Sequence, residues 1–558
     1  MKKRLYLYPI FCLLTGFILW GIWDKKFIHA DSEEESLWLS QRFLPEKIAV
    51  DAYLTGNFAR SQQDLSKAVT SYLKVLEKDP QNASLVKDIY LLAMIQGYPQ
   101  EITPYLPVLE EKAVFSDYFQ VVNLFQKGDF AQARSLLKHK KAHRIDALLA
   151  PLVSVWFDVK ENKKEAAVAE LDKITKEPFL SGYQKVLLGV YFKDNSLIQK
   201  GIVQMGDHDI LALGYFPLLK QVINQSGNWD HSSLNSKYQE MRRVYPATAD
   251  VLIQAGQTQL TPETGLAEVF YLVSALGGRG LLSREEALVL NSLSLFLQPD
   301  KQIALIWGAE LSEGLKLPKI ALSYYERLQI HTATLAFKEA SVLVLADRSE
   351  EALSKLEMLE KSNPTSIPLL TLLGQVYQIH NQKEKALDIY NRLIPLLEEK
   401  LSNPPLIQAY IARGNLYGPE KGAEMLSDLK RAHALDPENA VLLNDLGYHQ
   451  LEMGQIEEGF QLVQKAYFKK PDDPYILDSM AFGYWKKGQS QVALPLAEKA
   501  LDLMPQSALI NAHLGDIYTQ LGRYREAQFQ YKKALDLKTD LSQLQVEEIS
   551  QKLKGESK

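Results

Sequence analysis

Three kinds of residue recur every 34 positions in the last third of the chain, and this period constrains the fold more than any other feature. The three series are Pro437, Pro471 and Pro505; Gly454, Gly488 and Gly522; and Ala466, Ala500 and Ala534. A fixed period of this length is typical of solenoids, in which each unit buries its apolar face by stacking on its neighbours. Small residues at fixed offsets let two helices approach closely. The period therefore predicts an all-α solenoid of antiparallel helix pairs.

The last unit matches a known repeat at nearly every signature position. These positions hold Leu514, Gly515, Tyr518, Gly522, Ala527, Tyr531 and Ala534. The unit resembles the tetratricopeptide repeat, a 34-residue helix–turn–helix motif. The two preceding units depart from it only by small residues, because Ala481 stands at the usual glycine position and Gly459 at the usual alanine position. The resemblance implies a tetratricopeptide superhelix with consensus repeats over residues 440–541.

Weaker copies of the signature extend towards the N-terminus. They are marked by Gly56, Ala68, Tyr72 and Pro80; by Gly128, Phe130 and Ala133; and by Leu373, Gly374, Tyr377, Ala386 and Tyr390. From residue 175 to 300 the apolar spacing stays helical while the signature fades. We predict a divergent N-terminal array over 49–245 and a middle array over 260–435, with a boundary near 245–260.

Two stretches are expected to depart from regular repeats. The phase slips between 400 and 439, where Pro404, Pro405, Gly418 and Pro419 predict a longer loop or a distorted hairpin. Residues 542–558 form a polar tail, and we expect 550–558 to fray.

The N-terminus carries a membrane signal. Lys2, Lys3 and Arg4 precede an uncharged run over residues 5–23, which is long enough to cross a hydrocarbon core as a helix. Because positive flanks stay cytoplasmic, we expect one pass through a membrane, a linker over 31–48 and the repeats outside the cytoplasm. Trp20 and Trp23 suit the membrane interface and favour a retained anchor. The alternative is that residues 1–30 are a signal segment, cleaved after Ala30 to release a periplasmic protein.

Four short stretches also resemble a family of alphaproteobacterial envelope-associated tetratricopeptide proteins. They are residues 53–59, 443–448, 475–482 and 511–516. Met480, Ala481 and Phe482 depart from the Leu, Gly and Trp that this family more often shows. The resemblance covers 45–540 loosely and 440–535 well. It implies a bacterial source, export to the periplasmic side and a protein-interaction role, with no reaction attached.

Composition and motifs argue against several other classes of protein. The chain has 63 Lys and Arg against 68 Asp and Glu, so no overall basic field favours nucleic acid. Cys12 is the only cysteine, which excludes internal disulfides and cysteine-based metal sites. No GxSxG, HExxH or Cys-His arrangement occurs. We therefore expect no enzyme activity, cofactor or metal.

In arrays of this kind the first helix of each pair lines a concave groove, through repeat positions 2, 5, 6, 9 and 12. The candidate partner-binding residues are Asn444, Asp445, Tyr448, Tyr475, Asp478, Ser479, Phe482, Trp485, His513 and Asp516. Rigid aromatic anchors among polar groups suit a peptide. The alternative is structural, with Asn444, Asp478 and Asp516 bonding neighbouring helix ends and the aromatic side chains packing between hairpins. The Lys, Asn and Arg clamp that holds C-terminal carboxylates in some repeats is absent from these positions.

These observations predict a scaffold or adaptor that binds a protein or peptide partner, in envelope assembly, secretion or polysaccharide export. The alternative is a structural solenoid subunit of a membrane complex, which self-associates without using the groove.

Overall fold

The computed structural model describes residues 47–61, 64–96, 99–108, 115–138, 145–175, 177–205, 259–277, 282–401, 403–417, 421–538, 541 and 543–555. Every regular element in these ranges is helical, which confirms the all-α prediction. The chain divides into two compact units. The N-terminal unit contains the described residues up to 359, and the C-terminal unit contains those from 360 onward.

The N-terminal unit is a succession of helices, most of them paired with the next along the chain. They are α1 (Lys47–Ser61), α2 (Leu65–Leu76), α3 (Ala83–Gln96), α4 (Pro99–Ile102), α5 (Ser116–Lys127), α6 (Phe130–Lys138), α7 (Asp146–Lys160), α8 (Lys164–Asp172), α9 (Pro178–Tyr191), α10 (Asn195–Met205), α11 (Pro262–Gly277), α12 (Arg284–Leu297), α13 (Gln302–Gly314), α14 (Pro318–Tyr325), α15 (Ala333–Leu345) and α16 (Ser349–Ser362), within which the division between the units falls. A 3₁₀ turn follows α4 over Thr103–Val108.

The C-terminal unit continues the helix pairs with a more regular period. Its helices are α17 (Ile367–Ile379), α18 (Lys383–Glu399), α19 (Asn403–Tyr417), α20 (Gly422–Leu435), α21 (Ala440–Glu452), α22 (Ile456–Lys469), α23 (Pro474–Lys486), α24 (Ser490–Leu503), α25 (Ala508–Gln520), α26 (Tyr524–Leu537) and α27 (Gln543–Gly555). Residues 400–439, where we expected a longer loop or a distorted hairpin, contain a further helix pair, α19 with α20.

A single turn geometry joins the two helices of most pairs. One residue at each turn adopts a positive φ, and the amide after it donates to the carbonyl oxygen five residues earlier, at 2.7–2.9 Å. This is the Schellman arrangement, which satisfies carbonyl groups that the end of a helix leaves open. The turn residues are Gly128, Asn162, Lys193, Lys316, Asp347, Asn381, Gly454, Gly488 and Gly522.

Small residues bring the paired helices into backbone contact. A Cβ atom on Gly447 of α21 would lie 2.7 Å from the carbonyl oxygen of Gly459 on α22. A Cβ on Gly515 of α25 would lie 2.5 Å from the ring of Tyr531 on α26. Both distances are too short for any side chain larger than hydrogen. The signature positions read from the sequence are therefore the points of closest helix approach.

Helices far apart in sequence also pack together within the N-terminal unit. Lys160 of α7 pairs with Glu263 of α11 at 2.7 Å, and the ring of Trp156 lies against Gly265. Rings of Phe119 on α5 and Phe296 on α12 meet edge to face at 5.1 Å. The core of this unit therefore joins hairpins before residue 206 to hairpins after residue 258, which sequential stacking alone would not bring together.

Several predictions fall outside the described residues. These include the anchor or signal segment at 1–30, the membrane run at 5–23, the linker up to residue 46 and most of the boundary at 245–260; all of them stay predictions. Within the described ranges, no helix has the length and apolarity needed to cross a membrane. In the predicted polar tail, residues 550–555 do not fray but form the last turns of α27.

Candidate partner-binding groove

Side-chain caps fix the start of each first helix in the three consensus repeats. Asn439, Asp473 and Ser507 each precede a first helix by one residue and accept a hydrogen bond from a backbone amide of its first turn. Such caps satisfy amides that have no partner within the helix. Because the caps are 34 residues apart, equivalent positions on α21, α23 and α25 have the same orientation. We call the surface that these three helices share at positions 5, 6, 9 and 12 the groove face.

Four predicted residues meet in one cluster on the groove face. Phe482 of α23 lies at the centre: its ring centroid is 4.5 Å from that of His513 on α25, 5.3 Å from that of Tyr448 on α21 and 5.5 Å from that of Trp485. Phe482 and His513 are each only 6% exposed, whereas Tyr448 and Trp485 are half-buried. We call these four side chains the aromatic cluster. Its centre packs between repeats, and its two outer members present ring surface to solvent.

A buried ion pair joins His513 of the cluster to Asp478 on α23. His513 Nδ1 lies 2.8 Å from Asp478 Oδ2, and both side chains are buried. Burial by itself lowers the pKa of the His513 imidazole, but the nearby carboxylates of Asp478, Asp516 and Glu452 outweigh it and leave this pKa above the usual value. The other oxygen of Asp478, Oδ1, is buried and has no hydrogen-bond partner in the structure.

Tyr448 is held at the end of α21 by charged neighbours. Its hydroxyl donates to Glu452 Oε1 at 3.0 Å, and His449 Nδ1 lies 2.9 Å from the other oxygen of Glu452. Burial opposes ionisation of Glu452, yet the bonds from His449 and Tyr448 leave its pKa below the usual value. Burial, together with the adjacent carboxylates, raises the pKa of the Tyr448 phenol. Tyr448 is therefore a neutral hydrogen-bonding group with an oriented ring.

Asn444 and Asp445 lie one turn earlier on α21. Asn444 is buried, and its Oδ1 has no hydrogen-bond partner. Burial raises the pKa of the Asp445 carboxyl to about 6, although His449 and Asn444 favour its charged form. Asp445 is therefore a carboxylate at neutral pH that lacks enough counter-charge to restore its ordinary pKa.

The remaining predicted residues occupy different environments. Asp516 accepts hydrogen bonds from Tyr531 Oη and Lys552 Nζ, each at 2.6 Å. Ser479 is 4% exposed and packs inside the repeat. Tyr475, by contrast, is 52% exposed at position 2. The structure thus brings together only part of the predicted set, and the binding role of these residues stays a prediction.

Three residues on this surface were missed by sequence reasoning. Lys486 Nζ lies 5.1 Å from the ring centroid of Phe482 and 5.0 Å from that of Trp485, within cation–π range. Its position four residues after Phe482 on the same helix could have indicated this contact. Glu452 lies one helical turn after Tyr448, a spacing that also predicts contact. Lys552 could not have been found, because it approaches Asp516 from a segment predicted to be a tail.

In the described part of the chain, no group of three or more His, Cys, Asp or Glu side chains is arranged to hold a metal ion.

Comparison with known proteins identifies the repeats. The family model described as tetratricopeptide repeat matches residues 484–545. No curated protein matches the chain significantly.

The solved structures that the chain matches have low sequence identity to it. A tetratricopeptide-repeat protein from Parabacteroides merdae is 18% identical with a TM-score of 0.37, over 46% of this chain and 99% of that chain. A chain of the Cut9–Hcn1 hetero-tetramer of APC/C is 13% identical with a TM-score of 0.35, over 94% and 98%. YrrB, described as a tetratricopeptide-repeat protein with an unusual peptide-binding site, is 18% identical with a TM-score of 0.25, over 35% and 97%.

The matched segment begins in α23, includes all of α24, α25 and α26, and ends in α27. It therefore contains the most regular of the hairpins, with their glycine turns and close helix contacts. Together with the 34-residue period, this match identifies tetratricopeptide repeats at residues 484–545 of the chain.

Proposed function

We propose that this protein is a scaffold that binds a segment of a partner protein on the groove face of its C-terminal unit. The observation that carries the proposal is the aromatic cluster, which three successive first helices hold in place. Tyr448 and Trp485 keep part of their ring surface exposed, while Phe482 and His513 fix them from below. Rigid aromatic side chains of this kind supply much of the affinity at protein interfaces, because little entropy is lost when they bind.

The surrounding polar groups suit the backbone of a bound peptide. Asn444 and Asp478 each present a buried oxygen with no partner in the structure. An unsatisfied buried acceptor costs about 1–3 kcal/mol, which a donor from a ligand would recover. The groove face therefore combines apolar anchors with unused hydrogen-bonding capacity.

The test is crosslinked affinity purification with mass spectrometry on the full-length chain. Tyr448→Ala with Trp485→Ala removes the exposed part of the cluster and leaves the buried His513–Asp478 pair in place. We expect this variant to lose partners that the native chain captures. Circular dichroism and hydrogen exchange of α21–α25 would establish that it is folded.

A matched control removes two exposed aromatic residues from a second helix. Tyr524 and Phe529 of α26 are 55% and 64% exposed and lie outside the groove face. Tyr524→Ala with Phe529→Ala should keep the captured partners. If both double variants capture the same proteins as the native chain, or capture only further copies of this chain, the groove function is wrong and the self-associating structural role replaces it.

The cellular setting is a second part of the proposal. We place the repeats on the periplasmic side of a bacterial inner membrane, tethered by residues 5–23, because Lys2, Lys3 and Arg4 precede an uncharged run of spanning length. The alternative is a periplasmic protein released by cleavage after Ala30. Membrane fractionation with N-terminal sequencing separates the two: an intact N-terminus in the membrane supports the tether, and a soluble chain starting at Asp31 supports release. A cytoplasmic, soluble chain would contradict both.

A further inference from the structure

We infer that the segment bound on the groove face is cationic, and that arginine side chains of the partner insert beside the aromatic cluster. The inference rests on the proposed function, since it concerns the same surface. It goes further by assigning the chemistry of the partner.

Some hydrogen-bond acceptors on the groove face have no donor, which favours a ligand that donates hydrogen bonds. Asp478 is 4% exposed and Asn444 is 7% exposed, and in each case Oδ1 has no hydrogen-bond partner. Asp478 Oδ2 is already bonded to His513, so Oδ1 is the oxygen of this carboxyl group that has no partner. A guanidinium or ammonium group would satisfy such oxygens with charge-assisted hydrogen bonds, whereas a carboxylate ligand would be repelled.

Acidic side chains outnumber basic side chains on this surface. The acidic groups are Asp445 and Glu452 on α21, Asp473 just before α23, Asp478 on α23, and Asp516 on α25. The basic side chains that face them are His449, Lys486, His513 and Lys552, and three of these are paired with Glu452, Asp478 and Asp516. Asp445 has no such pair, and burial raises its pKa to about 6.

The protein's own side chains show how cations bind here. Lys552 reaches from α27 to Asp516 at 2.6 Å, and its Nζ lies 5.9 Å from the ring centroid of Tyr531. Lys486 lies over the rings of both Phe482 and Trp485. In both places a lysine ammonium group makes a cation–π contact with an aromatic ring on or beside the groove face. The region around Tyr448, Asp445 and Asp478 offers the same combination without an internal cation bonded to the free carboxylate oxygens.

Arginine fits this combination better than lysine. Its planar guanidinium can stack on an aromatic ring while its N–H groups donate in the ring plane, and it remains charged throughout the accessible pH range. A guanidinium stacked beside Tyr448 would place donors among the carboxylates of α21 and α23.

The first experiment is selection of peptides from a random 12-residue phage-displayed library on the immobilised full-length chain. We expect arginine to be enriched, and acidic residues to be depleted, in the selected peptides. A selected peptide would then be compared by fluorescence anisotropy with its citrulline counterpart, which keeps the shape and several donors but removes the charge. We expect the citrulline peptide to bind about tenfold more weakly, a difference of about 1.4 kcal/mol.

Asp445→Asn supplies the matching change in the protein, because it removes one charge without removing a partner of the buried His513. We expect it to weaken binding of the arginine peptide about fivefold while leaving the citrulline peptide unaffected. Glu458→Gln is the control: Glu458 is exposed on α22, a second helix, and should not change either affinity.

The pH dependence of the affinity for the arginine peptide is an independent test, and the direction of the expected change is defined. Protonation of Asp445 near pH 6 and of His513 both make the groove face less negative, so the arginine peptide should bind more weakly as the pH falls from 8 to 5.

The two proposals fail in different ways. If the Tyr448 and Trp485 double variant loses its partners but the selected peptides show no cationic preference, the groove function stands and the cationic inference is wrong. Selection of acidic peptides, equal affinity for the arginine and citrulline peptides, or no selection of any peptide would also overturn the inference. If the double variant keeps every partner, both proposals fail.

Discussion

The two units form the same hairpin turn with different residues. In the C-terminal unit the last three turns use Gly454, Gly488 and Gly522, with φ between 74° and 79°. In the N-terminal unit, Lys193 and Lys316 adopt φ of 54° and 59° at equivalent turns. The hydrogen bond that closes each turn is the same in both units. Glycine therefore lowers the cost of a geometry that packing can also impose on other residues.

This difference explains why the sequence signature fades where the hairpins persist. A left-handed backbone costs a non-glycine residue about 1–2 kcal/mol, which tertiary contacts can offset. The loss of the turn glycine removes the strongest local marker of the repeat without removing the hairpin itself. Lys193 lies between α9 and α10, a regular pair within the stretch where the signature was weakest.

A second contrast concerns what is buried. The consensus hairpins bury small residues at the helix contacts, as at Gly447 and Gly459. The N-terminal unit has a similar contact between Gly182 and Gly201, and it also buries an ion pair, Lys301 with Glu268, beside the ring of Tyr271. Both side chains of the pair are 7% exposed. Both units therefore bury charge as well as small residues, and they differ in the pair that is buried, which is Lys301 with Glu268 in one unit and His513 with Asp478 in the other.

The largest expected effect comes from breaking the pair of Lys301 with Glu268. Lys301→Met should destabilise the α11–α13 region by about 3–5 kcal/mol, because Glu268 is left charged and buried without a partner. Hydrogen exchange of these helices, followed by mass spectrometry, measures the loss. Combining Lys301→Met with Glu268→Leu should recover most of it. A double variant as unstable as the single one would show that the pair is not what the region depends on.

Gly447→Ala should have the next largest effect. The added methyl group would meet the backbone of Gly459 at 2.7 Å, so α21 and α22 must separate, at a cost of about 2–3 kcal/mol. Hydrogen exchange in both helices reports this cost. Gly414→Ala on α19 is the control, since its nearest neighbour would be at 3.5 Å. Equal effects of the two substitutions would rule out close approach as the reason for glycine at 447.

Exchange of turn residues tests the first contrast directly. Gly488→Ala should destabilise the α23–α24 hairpin by about 1 kcal/mol, and only through the backbone, because no atom lies within 4 Å of the added Cβ. Lys316→Gly should stabilise the α13–α14 hairpin by somewhat less than about 1 kcal/mol, since glycine also gains entropy in the unfolded chain. The change in the free energy of unfolding is measured in urea by hydrogen exchange. Opposite signs of this change in the two variants support a shared turn geometry. A loss of stability in both variants would contradict it.

The smallest expected effect is the dependence of α21 stability on pH. The folded state raises the pKa of Asp445 to about 6, so the carboxyl destabilises the fold while it is ionised, and this cost disappears as the pH falls from about 6 towards 4. Asp445→Asn should therefore stabilise α21 by about 1 kcal/mol at pH 8 and have no effect at pH 4. Hydrogen exchange corrected for its intrinsic pH dependence measures this difference. If Asp445→Asn stabilises α21 equally at every pH, the raised pKa of Asp445 is not the cause.

Much of the fold follows from sequence pattern, and the reasons are local. Gly454, Gly488 and Gly522 mark turns because their backbone conformation is one that other residues rarely adopt. The close contacts of Gly515 and Tyr531 follow from a spacing that repeats along the chain. The groove residues Tyr448, Phe482 and His513 were assigned to one face by counting from the start of each helix, and the structure brings their rings together.

What the sequence could not predict depends on contacts between distant positions. The period determined by itself that the chain forms helix pairs and where the regular ones begin. Only the tertiary structure decided that α7 packs on α11, that Lys301 is buried with Glu268, and that Lys552 of the last helix bonds to Asp516. The physical reason is that a repeat encodes its contacts at fixed short separations, whereas these contacts form only after distant helices have packed, and no local pattern specifies their partners.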